Sequence, residues 1–442
     1  MIRILLALIA LSSVLYIYVY PNIKFDTSAP SIETLSNVYK EKYMLNLNKV
    51  NILKVKDDFG LKHLKLSFLS KDTNNKYEVF YSKDITKSKK EYVLNLNKTI
   101  LRDLLSSYID EVKIKVNVSD ASFKKNEREM IFDFKIDNNK PYIKIIKKSL
   151  NQLNVGSLVA INAEIYDKET EIEKILINGK ENFGIVSKDK KIYSLLVPVT
   201  EEMVQKKKVL IKAIDSSGNE NEIKTYFLTK KIEKIYSVKD TTATKNKINE
   251  IKHDEKIKKI NVIKKLNENL KDIETIIRKV SKEIVAPKIN KDTFSKLKSP
   301  IKNNDKLNRI SFNDKIMYKR DLLRNKGSFI FANKYNKVSS ISSGVIVYMN
   351  KLSILGNTII IKHNDGFYSV SASLKNMNKK LKVGGKVKSK EFLGYPEYNP
   401  IFNSNYYFSI SYKNEYVKPY YFYNNKYYKD VLRKVFDKED LK

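Results

Sequence analysis

Short runs in which apolar side chains recur at every second position fill much of the stretch from Leu64 to Leu228, and this alternation restricts it to half-buried β-strands. Leu64–Ser70 (LKLSFLS) and Val112–Val118 (VKIKVNV) place apolar groups on one face and polar groups on the other, which predicts a β domain of unidentified type over residues 23–138. A second series begins near Pro141 with Tyr142–Ile146 (YIKII) and continues through Leu158–Tyr166 (LVAINAEIY) and Lys208–Ile214 (KVLIKAI). It closes at the turn Asp215–Asn219 (DSSGN), followed by Lys224–Leu228. Strands this short, at this spacing, predict an immunoglobulin-like sandwich over residues 139–232.

From about Ser237 the period changes. Ile263, Leu266, Leu270, Ile273, Ile277, Val280 and Ile284 step alternately by three and four residues, a seam that Pro287 ends, within a predicted helical segment over 237–287. Two readings follow: the helix packs on its own domains, or it pairs two chains as a short coiled coil, a homodimer through Ile263–Ile284. A Lys/Asn-rich linker over 288–308 then leads to a C-terminal domain over 309–442.

The other end of the chain bears on its compartment. Ile4–Asn22 (ILLALIALSSVLYIYVYPN) holds no charged residue and is long enough to cross a hydrocarbon layer of ~30 Å once, with Tyr16, Tyr18 and Tyr20 at the interface. A cleaved secretory signal is the alternative, but the run offers no clear small-x-small cleavage site. The expectation is therefore an anchor over residues 1–22 in the cytoplasmic (inner) membrane, single-pass, with the bulk of the chain extracytoplasmic or periplasmic. The net charge of +35, from 85 Lys+Arg against 50 Asp+Glu, favours polyanions. For an exported chain these are anionic lipid or cell wall, and nucleic acid is not an expected partner. Cysteine is absent, which excludes disulfides, thiolate metal sites and a lipoprotein attachment site.

One ordered set of short strands remains: Gly344–Met349 (GVIVYM), Gly356–Gly366 (GNTIIIKHNDG), Tyr368–Leu374 (YSVSASL), Val383–Val387 (VGGKV), Phe392–Gly394 (FLG) and Tyr407–Ile410 (YFSI). Physically this is a compact β-sheet core with Asn364-Asp365-Gly366 as a hairpin turn. As a set, over about Asn325–Pro419, it resembles the zinc endopeptidases of the lysostaphin/LytM type, which cleave peptidoglycan. More loosely, the A-x-D-x-x-G-N of Ala213–Asn219 resembles the ends of bacterial Ig-like modules.

The lysostaphin/LytM resemblance implies a zinc ion held by the His and Asp of H-x-G-x-D and by the second His of H-x-H. With Gly327 in register, Asn325 stands in place of the first ligand and Phe329 in place of the second, while Asn405 and Tyr407 occupy the two His positions of H-x-H. Ser373 stands where the Y-A-H-L motif has its His. Phenylalanine has no lone pair, an amide oxygen is a poor zinc ligand, and a tyrosine with a reference pKa near ~10 is mostly protonated. Of the three histidines, His63, His253 and His363, only His363 lies in this domain, where the resemblance implies a non-ligand. The expected architecture is multidomain and mainly β: an N-terminal transmembrane helix, two β domains, a helical or coiled-coil linker and a C-terminal LytM-like β-sheet core. The expected function is that of a catalytically inactive, cofactor-free envelope protein that binds peptidoglycan or regulates a cell-wall hydrolase. The alternatives are an active zinc metalloendopeptidase with an unusual site and a structural tether or adhesin.

Overall fold

The computed structural model describes residues 26–420 except 36, 40–41, 47–48, 50, 70–76, 86–88, 97–98, 102–110, 123, 183, 188, 230–233, 282–296, 302–307 and 364–365. The expected anchor, Ile284, Pro287, the Asn364-Asp365 turn and the chain from 421 onward lie outside the described residues. Among the described residues no helix is long and apolar enough to cross a membrane. The chain is mainly β and divides into two compact units: residues 1–141 with 167–173 and 214–221, and residues 142–166 with 174–213 and 222–442.

The first unit contains β1 (Ser31–Thr34), β2 (Asn37–Tyr39), β3 (Lys42–Leu45), β4 (Ile52–Lys56), β5 (Leu61–Leu69), β6 (Glu78–Asp84), β7 (Glu91–Asn95), β8 (Glu111–Asp120) and β9 (Glu127–Ile136). They form one sheet of order β1-β4-β7 and another of order β2-β3-β9-β8-β5-β6. The alternation read from the sequence is the burial seen: in β8, Val112, Ile114, Val116 and Val118 are buried, while the lysines between them reach outward to Glu129 and Asp133 on β9.

The second β module holds β10 (Tyr142–Lys148), β11 (Gln152–Leu153), β12 (Leu158–Tyr166), β13 (Ile172–Ile177), β14 (Lys180–Glu181), β15 (Ile185–Val186) and β16 (Ile192–Pro198). A short helix α1 (Glu201–Lys206) follows, then β17 (Lys208–Asp215), β18 (Glu220–Tyr226) and β19 (Leu228–Thr229). Its sheets run β10-β12-β16-β15 and β14-β13-β17-β18. The strand order of the first module recurs: β1-β4-β7 corresponds to β10-β12-β16, and β9-β8-β5-β6 to β18-β17-β13-β14. Each module adds one parallel pair, β3 with β9 and β11 with β19.

After β20 (Ile235–Ser237) come two helices, α2 (Thr242–Asp254) and α3 (Val262–Ser281), separated by a turn in which Lys256 takes φ 55°. Thr241 and Asn261 cap them, their side-chain oxygens accepting the amides of Thr244 and Lys264. The remaining strands are β21 (Asn308–Ile310), β22 (Lys315–Tyr318), β23 (Asp321–Arg324), β24 (Ser328–Ile330), β25 (Val338–Ser339), β26 (Gly344–Leu352), β27 (Gly356–His363) and β28 (Phe367–Lys375). The series ends with β29 (Lys386–Val387), β30 (Phe392–Pro396), β31 (Tyr406–Tyr412) and β32 (Glu415–Val417). The main sheet has the order β21-β24-β31-β28-β27-β26-β29, with β30 and β32 attached to β28 and β31.

This sheet is covered on both faces, which is why β31 (YYFSISY) is buried throughout. Tyr406, Phe408, Ile410 and Tyr412 enter one core, joined by Leu297 and Ile301 from the segment read as linker. Tyr407, with Phe329, Ile360, Tyr368, Val370 and Ala372, enters the other, where Ile263, Leu266, Leu270, Ile273 and Ile277 of α3 pack. The coiled-coil reading, with its homodimer through Ile263–Ile284, is corrected here. The apolar seam is consumed by the chain's own sheet, so its described residues have no apolar face left for a second chain.

Candidate functional site

Two of the five positions read as a lost zinc site, Phe329 and Tyr407, come together on the face of the sheet beneath α3. Antiparallel pairing of β24 with β31 sets Phe329 opposite Tyr407, and pairing of β28 with β31 sets Ala372 on Tyr407's other side. The Phe329 ring lies 4.8 Å from that of Tyr407 and 4.1 Å from that of Phe402, centroid to centroid. Tyr407 also lies over Gly327: a Cβ there would come within 2.6 Å of the phenol, so the glycine is the residue that lets the ring in. Phe329 is 1% and Tyr407 0% exposed.

Asn325 closes the loop before β24. Its amide nitrogen donates to Ser311 O (2.9 Å) and Gly327 O (2.7 Å), and its amide oxygen accepts from Gly327 N (3.3 Å), so its polar atoms serve the backbone. The Tyr407 hydroxyl is buried with no hydrogen-bond partner among the described residues, and burial pushes its pKa well above the usual phenol value.

The other two positions point elsewhere. Asn405 binds both backbone groups of Ala332, accepting from its N–H at 2.6 Å and donating to its carbonyl. Ser373 lies where the β27–β28 register shifts, at φ 58°, and its hydroxyl donates to Leu355 O at 3.0 Å. His363 is buried: Nδ1–H donates to the Ser343 carbonyl (2.9 Å), which leaves Nε2 to accept from the Ser369 hydroxyl (2.7 Å). Burial pushes its pKa down to about 4, so it stays neutral at ordinary pH.

Residues 324–419 match the family model described as Peptidase family M23. The C-terminal domain is an M23 domain. No curated protein matches the chain significantly. Similar solved structures include a peptidase M23 from Pseudomonas aeruginosa, 13% identical over 62% of this chain and 96% of that one, with a TM-score of 0.38. The catalytic domain of lysostaphin from Staphylococcus simulans is 27% identical over 22% of this chain and 76% of that one, with a TM-score of 0.19. Csd3 from Helicobacter pylori is 11% identical over 89% of this chain and 74% of that one, with a TM-score of 0.26.

The zinc that an M23 domain implies does not fit these residues. Of the three positions read from the sequence as zinc ligands, two carry aromatic rings packed into the core, and the third carries an amide already committed to backbone. Among the described residues, α3 packs on that face. Asn269, in the middle of α3 and buried, accepts from the amides of Ile354 (2.9 Å) and Leu355 (3.3 Å) and donates to Ser353 Oγ (3.1 Å). Glu274 of α3 pairs with Lys326, the residue between Asn325 and Gly327. A cavity of about 420 Å³ lies elsewhere in the same unit, lined in part by Asn178, Lys180, Met203, Gly366, Lys413 and Glu415, and none of the five positions lines it.

Asn269 and Phe402 are the residues here that sequence reading did not single out. Asn269 had a signal: it is a polar residue directly beside the apolar seam. Phe402 had none, because it sits outside every strand pattern.

Proposed function

We propose that this chain is a membrane-anchored, catalytically inactive M23-type protein of the cell envelope that regulates a cell-wall hydrolase, its second β module being an immunoglobulin-like spacer. The observation that carries this reading is the Phe329–Tyr407–Phe402 aromatic cluster, in which Phe329 and Tyr407 stand at two of the positions read as zinc ligands and which is buried in the core that α3 joins. A stem peptide would have to displace a helix that contributes six buried aliphatic side chains to the core, a large loss of apolar burial. With that face closed, the part left to the domain is to present its outer surface to another protein. The charge of +35 suits residence beside an anionic wall.

The test is a reconstitution. Full-length protein in mild detergent would be added to labelled sacculi alone and together with purified envelope hydrolases. The expected result is no muropeptide release by the chain alone and a changed release rate with one of the hydrolases. Muropeptides released by the chain alone would overturn the reading, as would saturable binding of sacculi without effect on any hydrolase.

A further inference from the structure

The two β modules share more than strand order. Each opens on an Asp-x-x-x-Pro segment, Asp26–Pro30 and Asp137–Pro141. Each places a second aspartate directly after the next long strand of the same sheet, Asp57 after β4 and Asp167 after β12. A third aspartate ends the penultimate long strand of the other sheet, Asp120 on β8 and Asp215 on β17. The fold gathers each triplet: one carboxylate oxygen from each of Asp26, Asp57 and Asp120 lies within 4.8 Å of the others, and likewise for Asp137, Asp167 and Asp215.

The supporting bonds are duplicated as well. Asp57 Oδ1 accepts the amides of Phe59 and Gly60 (2.9 and 3.0 Å), and Asp167 Oδ1 those of Glu169 and Thr170 (2.8 and 3.0 Å). Asn126 Nδ2 donates to the Asp26 carbonyl at 3.1 Å, and Asn219 Nδ2 to the Asp137 carbonyl at 3.0 Å. The first set holds the Asp57 and Asp167 carboxylates and the second the backbone of Asp26 and Asp137, and neither neutralises a charge.

What points to a ligand is what the bonds leave over. Asp26 Oδ2 in one triplet and Asp215 Oδ2 in the other are buried with no hydrogen-bond partner among the described residues, on side chains of residues only 7% and 0% exposed. A chain with 85 Lys+Arg has cations to spare, yet none of the six carboxylates pairs with one among the described residues. Burial raises the Asp57 and Asp215 carboxyls above the usual carboxylate range, and the neighbouring aspartates add to it. All three aspartates of the first triplet are buried, as are Asp137 and Asp215 of the second with Asp167 half-buried, and like charges this close, one of them carrying an unmet acceptor, are stabilised by a positive charge between them.

We propose that each β module holds one hard divalent cation, Ca²⁺, between its three aspartates. A donor set made of carboxylate oxygens, with neither His nor Cys, selects Ca²⁺ or Mg²⁺ over zinc or copper. Ca²⁺ is favoured because it sheds its water more readily and accepts irregular oxygen cages, whereas Mg²⁺ keeps several waters and demands an octahedron. The sites are independent of the erased M23 site and hold whether or not the chain acts on a hydrolase.

The full chain, stripped with EGTA, would be titrated with Ca²⁺ by calorimetry and melted with and without the ion. Two Ca²⁺ per chain and a rise in melting temperature are expected. Asp26→Asn and Asp215→Asn are each expected to remove one of the two sites and leave the other, with Asp57→Asn and Asp167→Asn as the parallel pair should a first variant fail to fold. No saturable binding by a chain of native circular dichroism would overturn the proposal, as would two sites persisting in the variants. Displacement of Ca²⁺ by an equal concentration of Mg²⁺ would overturn the choice of ion.

Discussion

Tyr407 is fully buried and carries an unmet polar atom among the described residues, its hydroxyl. Tyr407→Phe keeps the ring contacts and removes the orphan group, so it is expected to raise stability by about 1 kcal/mol. Phe329→Ala should instead lower it by ~3–5 kcal/mol, the usual loss for an emptied aromatic site. Denaturant unfolding of the full chain measures both, and a destabilised Tyr407→Phe would mean that the hydroxyl has a partner. His363 supplies a pH dependence. Its folded pKa of about 4 lies below the unfolded reference of 6.5, so between these values the unfolded chain binds the extra proton. Its contribution is present in full above about pH 6.5 and is lost as pH falls toward about 4, at ~1.4 kcal/mol per pH unit and on the order of 3 kcal/mol in all. His363→Gln, which can still donate and accept, should flatten that part of the pH–stability curve. An unchanged slope would place the titration elsewhere.

At the scale of elements, α3 decides what the domain can do. Leu270→Ala is expected to cost ~2–5 kcal/mol while leaving the hydrodynamic size of the folded chain unchanged, because the side chain fills an intramolecular core. A change of oligomeric state on that substitution would restore the coiled-coil reading. The heptad pattern was legible in the sequence, but periodicity reports only that a face is apolar, not whose surface covers it. The strands of the M23 domain were legible through their Gly-punctuated order, and the reading of Asn325, Phe329 and Tyr407 as former ligand positions rests on their register in it. The aromatic filling was not, since Phe402 meets Phe329 only through the fold. The duplication of the β modules was also missed, because the loops between matching strands differ in length and the shared signal is a few aspartates and one proline. Asp215 was read only as part of a turn, although it carries the acceptor most in need of a ligand.

At the scale of the whole molecule, the proposal has the chain anchored by Ile4–Asn22 and exported, with its basic surface against the wall. Exposed charges act over only ~8–10 Å at physiological salt, so adsorption to isolated sacculi should fall steeply as salt rises. A flat response would point to a specific contact. Protease added to spheroplasts should digest the chain while a cytoplasmic control stays intact, and protection alongside that control would place it on the wrong side of the membrane. The central claim is that an M23 scaffold has been kept while its zinc chemistry has been filled in, and it is tested most directly by incubating the full chain with peptidoglycan and added Zn²⁺. The account predicts no released muropeptides and a melting temperature indifferent to 1,10-phenanthroline, a chelator that prefers zinc to calcium. Muropeptide release that phenanthroline abolishes, with one zinc retained per chain after dialysis, would contradict it.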